Sequence, residues 1–194
     1  LAGGHISLYQ LTIEKGTPFY KQFHDGKLPM PSNDIAANMY EWTNNYLEER
    51  DYQRYEISNY AIKGQECIHN LGYWNYDEYI GIGPGAHGRL HESDGIKAVM
   101  MLHKPDKWLQ AVSENGHGIQ SKINLGKQEV IEEVFMMGTR LKKGVLEEKF
   151  SQITQSNFQD SLNLKTTEHY MQQGLVEIRN GYLSLTSNLP DGFN

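Results

Sequence analysis

Residues 66–88 read ECIHNLGYWNYDEYIGIGPGAHG, and the reading of this stretch decides what the 194-residue chain is. A Cys-x-His pair (Cys67, His69), four aromatics (Tyr73, Trp74, Tyr76, Tyr79) and a glycine-dense turn fall within two dozen residues. An aromatic run is more often core than a ligand bed, yet here it directly follows a soft ligand pair. The glycines let backbone approach a ligand closely, because no Cβ stands in the way. GIGPGAHG (Gly81–Gly88) contains a Gly-x-Gly-x-x-Ala pattern, but a dinucleotide site needs a strand before it and a helix after it. Pro84 and Gly85 oppose that helix. Two readings stay open: a tight structural turn, or a backbone surface for a nucleoside or sulfonium ligand.

The surrounding side chains limit the chemistry. His69 can ligate a haem or metal through a neutral imidazole nitrogen. A zinc site is disfavoured, because no second ligand pair has suitable spacing beside Cys67 and His69. His69 at i+2 is a poor base for a nucleophilic Cys67 if the segment is extended. His87 and His91 are four apart, but the glycine between them opposes a helical face. No Gly-x-Ser-x-Gly elbow is present. The carboxylate pairs Asp77-Glu78 and Glu132-Glu133 read as solvated faces, and Arg50, Arg54 and Arg89 as candidates for bidentate contact with ligand carboxylates.

Working towards the start of the chain, Gln53–Ile57 reads as a strand, and Ile35, Met39, Trp42, Tyr46 and Leu47 recur at helical spacing up to about Arg50. Ser32-Asn33-Asp34 supplies N-cap chemistry for that helix. His5–Ile13 (HISLYQLTI) suits a strand buried on both faces of a parallel sheet, so strand, helix and strand make half of an α/β repeat. Towards the end of the chain, Arg89–Lys97 reads as a linker, and helices follow at Pro105–Ser113, Lys127–Leu141, Glu147–Thr154 and Thr166–Gln173. Gly174 stands where a helix C′ residue should be. Asn180-Gly181 joins Leu175–Arg179 to Tyr182–Leu185 as a type I′ hairpin. Helices followed by a two-stranded wing give the winged-helix pattern. The last residues, from Thr186, show no periodicity and read as frayed.

Composition sets outer bounds. A net charge of −6 opposes a nucleic-acid partner. Mean hydropathy is −0.63, and no apolar run approaches the roughly 20 residues of a membrane span. One cysteine excludes an internal disulfide and a self-contained thiolate cluster, and suits a reducing cytoplasm. The chain starts at Leu1 without a signal-like segment or initiator methionine, and is read as a piece of something longer.

HISLYQLTIEKGTPFY, YEISNYA, ECIHNLGYW and YIGIGPGAHG, in this order and spacing, resemble the C-terminal half of the oxygen-independent coproporphyrinogen III oxidase family of radical S-adenosylmethionine (SAM) enzymes. The nearest branch by resemblance is the haem chaperones, whose His-Asn-x-x-Tyr-Trp motif matches HNLGYW. The resemblance implies an α/β plus α+β chain. Residues 1–97 would be the closing strands and helices of an incomplete TIM-like barrel, and residues 98–194 a helical, winged-helix-like domain. It implies SAM contacts at Gln10, Thr12, Ala86 and His87, and haem contacts at His69, Tyr73 and Trp74, with His69 on the haem iron. The family's 4Fe–4S cluster sits on a Cys-x-x-x-Cys-x-x-Cys loop that this chain lacks. No catalytic residue is therefore expected here, and the chain by itself should be inactive. Implied partners are haem or a porphyrinogen, the N-terminal half of the same polypeptide and a haem-acceptor protein. Two other functions stay open: the true oxidase, converting propionates to vinyls by oxidative decarboxylation, and a winged-helix module that binds another protein.

Overall fold

Ser32 decides where the longest helix starts. Its hydroxyl accepts from the Ile35 N–H at 3.4 Å, and Asn33–Glu48 (α2) follows. A computed structural model describes residues 3–186 and divides them into two compact units, one running through Cys67 and the other from Ile68 to Leu185.

The first unit opens with β1 (His5–Ser7) and α1 (Pro18–His24), which Thr17 caps by accepting from Tyr20 N–H at 3.2 Å. After α2 come β2 (Gln53–Arg54) and β3 (Asn59–Ala61). The three strands lie in the order β1-β3-β2, and both pairings are antiparallel, with His5 opposite Ala61 and Arg54 opposite Tyr60. The parallel α/β repeat expected from the sequence is therefore not formed. QRYEI is the first leg of a hairpin, and the HISLYQLTI strand is three residues long. Beyond β1 the backbone leaves the sheet, and Leu8–Thr12 is exposed. Helix α2 is held to the hairpin by Tyr60 Oη, which donates to Asn44 Oδ1 at 2.7 Å, and by Tyr40 Oη, which donates to Ile57 O at 3.1 Å. Burial pushes the Tyr60 phenol up to about 12.

The second unit starts with a helix that the glycine and aromatics of HNLGYW had hidden, α3 (Ile68–Trp74). It continues with β4 (His87–Glu92), β5 (Gly95–Met101), α4 (Pro105–Asn115) and β6 (Ile119–Asn124), whose strands form one antiparallel sheet in the order β4-β5-β6. The Arg89–Lys97 linker is thus a hairpin turning at Ser93-Asp94, with Gly95 at φ 129°. A boundary at 97/98 would fall inside β5. The alternation that marks a strand was masked because Lys97 occupies the same face as buried Val99, its Nζ held 2.5 Å from Asp94 Oδ2.

Next come α5 (Lys127–Gly138), β7 (Val145–Leu146), α6 (Glu147–Thr154), α7 (Phe158–Ser161), α8 (Leu164–Gln172), β8 (Val176–Arg179) and β9 (Tyr182–Leu185). Asn180 and Gly181, at φ 52° and 78°, form the expected two-residue turn, with Arg179 opposite Tyr182. Gly174 at φ 69° ends α8, and the Leu175 N–H reaches back to Tyr170 O at 3.0 Å. One apolar cluster fills this unit: Tyr76, Val130, Ile131, Val134, Val145, Phe150, Phe158 and Leu183. Within it the rings of Phe135, Phe150 and Phe158 contact one another at centroid distances of 4.8–5.6 Å. Of the frayed tail expected from Thr186 onward, residues 187–194 lie outside the described residues.

Candidate functional site

Helical backbone brings residues four apart onto one side. In α3 this sets the exposed ring of His69 edge-on to Tyr73, centroids 5.0 Å apart. Tyr73 in turn packs on Tyr79, beyond the helix, at 4.3 Å. The three rings form a short ladder with the imidazole at its solvent end. Ile68, Ile80 and Ile82 in the same stretch are also exposed. Trp74, five residues on from His69, leaves the helix in a different direction and lies under the Arg140 guanidinium at 4.5 Å. The structure therefore unites His69 with Tyr73 and gives Trp74 a neighbour of its own.

The ladder stands on a partly buried ionic clasp. Arg89 donates twice to Glu133 on α5, Nε to Oε2 at 2.9 Å and Nη2 to Oε1 at 2.7 Å. The two side chains are only 17% and 22% exposed. The Tyr76 hydroxyl donates to the same carboxylate. Burial alone would raise the Glu133 carboxyl, but the bonds from Arg89 and Tyr76 outweigh it and hold it below its ordinary value. Burial, with the Glu133 carboxylate beside it, pushes the Tyr76 phenol well above its ordinary range. Tyr76 ends α3 in the left-handed conformation at φ 57°, where glycine is the usual choice, while Asp77 N–H bonds to Gly72 O at 2.9 Å. The backbone accepts this conformation because the Tyr76 ring belongs to the core and its hydroxyl to the clasp.

Two sequence readings are corrected here. Glu133 is not part of a solvated face, and Arg89 is not available to a ligand carboxylate, since its planar fork is committed to Glu133. The signal for Glu133 was in the sequence: it stands three residues after Val130 and one before Val134, on the apolar side of α5, whereas Glu132 is exposed. Arg50 is likewise engaged, 3.6 Å above the Tyr46 ring.

The glycine turn folds back on itself. Tyr79 and Arg89 exchange both backbone hydrogen bonds at 2.9 Å, closing the loop between them. A Cβ on Gly81 would sit 2.3 Å from His87 O, and one on Gly88 3.1 Å from Tyr79 O. Gly83 and Gly85 have φ of 109° and 72°. Close self-approach and positive φ thus account for all four glycines. The turn leads into a strand, which agrees with rejecting the dinucleotide fingerprint. Ala86 and His87 lie at the start of β4, with His87 exposed. Gln10 and Thr12 belong to the first unit, three and five residues beyond the end of β1, and Gln10 Nε2 donates to Ala36 O at 3.0 Å.

The residues fit the implied groups unequally. An exposed imidazole backed by aromatic rings suits a haem. An iron–sulfur cluster on this chain's own ligands does not fit: Cys67 is the one cysteine, and no group of three potential metal ligands occurs among the described residues.

Residues 125–188 match the HemN C-terminal domain. The chain is 39% identical over 183 residues to "Radical S-adenosyl methionine domain-containing protein 1, mitochondrial" of Mus musculus, covering 89% of this chain and 40% of that one. It is 36% identical over 178 residues to "Heme chaperone HemW" of Lactococcus lactis, covering 90% and 45%. Over about nine-tenths of its length the chain is thus similar to part of these radical SAM and HemW proteins. The likeness is visible in three dimensions too. A structure titled as coproporphyrinogen III oxidase (HemN) from Escherichia coli, a radical SAM enzyme, superposes with a TM-score of 0.68 at 16% identity, over 96% of this chain and 45% of that one. The chain spans less than half the length of the curated relatives it matches. No described helix is long and apolar enough to cross a membrane.

Proposed function

We propose that this chain is the haem-handling, C-terminal portion of a radical SAM haem chaperone, with His69 as the haem-iron ligand and Tyr73 beside it. The observation that carries this reading is the exposed His69 ring at the end of the Tyr73–Tyr79 ladder. A buried histidine would need a hydrogen-bonding partner inside the protein, whereas an exposed one backed by rings is free to take a ligand. The exposed isoleucines of the same stretch suit the apolar faces of a macrocycle. The similarity to proteins named haem chaperones supports the same function.

In the intact protein, SAM would be met by Gln10 and Thr12 after β1 and by Ala86 and His87 at the glycine turn. The 4Fe–4S cluster would come from ligands outside this chain. We read the first unit as part of an incomplete barrel and the α5–β9 region as winged-helix-like. The three-stranded β7-β9-β8 sheet following helices is what supports the second description. Haem, or a porphyrinogen, and a haem-acceptor protein are the partners proposed, and a reducing compartment such as the cytoplasm the setting.

Haem titration of the intact protein tests the proposal. A Soret band is expected in the wild type and in Cys67→Ser, and a weakened one in His69→Ala. An unchanged spectrum and affinity in His69→Ala would return His69 to an ordinary surface histidine. Conversion of propionates to vinyls by the reconstituted protein would favour the oxidase over the chaperone.

A further inference from the structure

We propose that Tyr79 is a positioning residue for His69, acting through the Tyr73 ring; this rests on the haem reading of His69. Among the described residues His69 receives no hydrogen bond that would orient it, and its one ring contact is with Tyr73. Tyr73 is held from the other side by Tyr79 at 4.3 Å. Tyr79 is the fixed end of the ladder, because its backbone N–H and C=O both bond to Arg89. Arg89 is locked to α5 through the bidentate pair with Glu133, and Glu133 also receives the hydroxyl of Tyr76, three residues after Tyr73. The middle of the Tyr73–Tyr79 segment is therefore tied to this carboxylate directly, through Tyr76, and its far end through Arg89. The order of the His69 ring is inherited from α5 through Tyr79 and Tyr73, with no polar contact to the imidazole. Such an arrangement leaves both ring nitrogens available while restricting the ring's swing. Pre-ordering a ligand in its bound geometry raises affinity by reducing what must be ordered on binding.

The work is done by the face of the Tyr79 ring, so its hydroxyl is dispensable. Haem titrations of the intact protein, followed by absorbance and by electron paramagnetic resonance, distinguish the cases. Tyr79→Phe is expected to retain the wild-type Soret position and affinity. Tyr79→Ala and Tyr79→Leu, the latter keeping apolar bulk without a planar face, are expected to weaken haem about tenfold and to broaden or shift the low-spin signal. Circular dichroism confirms that each variant is folded, and a role confined to stability would lower the unfolding midpoint without altering the signal of the haem-bound state. Wild-type spectra and affinity in Tyr79→Leu, alongside loss in His69→Ala, would overturn the positioning role and leave the haem reading intact. An altered Tyr79→Phe would overturn it in favour of a role for the hydroxyl. Unchanged haem binding in His69→Ala would remove the haem reading and this role together.

Discussion

Helices α2 and α5 are built to the same plan and meet opposite fates. Both begin at a cap, Ser32 for α2 and Gly126 with Glu129 reaching back to its N–H at 2.7 Å for α5. Both carry an apolar stripe at helical spacing. In α5, Val130, Ile131 and Val134 are buried in the core of the second unit. In α2, the stripe of Ile35, Met39, Trp42 and Tyr46 is exposed, Met39 at 58% and Trp42 at 63%, while Leu47 alone is buried. Trp42 and Tyr46 stack on each other at 4.8 Å, and Arg50 caps the Tyr46 face. A hydrophobic period declares that a helix has a side to cover; it does not say what covers it.

The largest difference expected is between the core of the second unit and the open stripe of α2. Phe150→Ala, at a fully buried ring, should cost about 3–5 kcal/mol in the second unit, whereas Met39→Ala on the open stripe should change stability by no more than about 0.5 kcal/mol. Native-state hydrogen exchange at α5 and α2 in the two variants measures both. A loss of several kcal/mol from Met39→Ala would mean that the α2 stripe is covered in solution.

Next in size is the clasp. Glu133→Ala strands the Arg89 guanidinium in a mostly buried position and should cost about 2–4 kcal/mol, while Glu132→Ala one residue away should be within about 0.5 kcal/mol. Equal effects in denaturant unfolding would restore the solvated-face reading of both carboxylates.

The cap on α2 contributes less. Ser32→Ala removes the acceptor for the Ile35 N–H and should destabilise the first unit by about 1 kcal/mol, with Ser32→Asp restoring it. Exchange rates in the first turn of α2 are the measurement. The small size expected reflects a bond that is long and exposed.

The smallest effect is the pH dependence of the clasp. The folded-state Glu133 carboxyl lies below its ordinary value of 4.5, so its stabilisation is present above that pH and is lost as pH falls through the lower folded value. Tyr76 works on the other side. Its phenol is raised above the ordinary 10.0, so its contribution is complete below pH 10 and lost as pH rises towards the folded value. Unfolding midpoints from acid to alkaline pH should fall at both ends, with Glu133→Gln flattening the acid limb and Tyr76→Phe the alkaline one. An alkaline limb that survives Tyr76→Phe would place the responsible group elsewhere.

The local punctuation of the chain was legible without coordinates, because each signal depends on neighbours in sequence. Ser32 as a cap, Glu147–Thr154 as a helix, Gly174 as a C′ residue and Asn180-Gly181 as a hairpin turn all stand as read. The motif HNLGYW was also legible as a resemblance, and His69 and Tyr73 do share one side of a helix. What the sequence could not decide was which of its polar residues are inside. Lys97 hid a strand by occupying an inward position, and Arg89 looked open to a ligand carboxylate and Glu133 like a surface charge because the partner of each is 44 residues away. Strand direction was equally closed to it: His5–Ser7 pairs antiparallel with Asn59–Ala61, a choice made by contacts across more than 50 residues. Caps, turns and periods are settled by forces acting within a few residues, so one sequence suffices to read them. Burial of charge, strand order and the ring ladder behind His69 depend on which distant segments meet, and only the tertiary fold sets that.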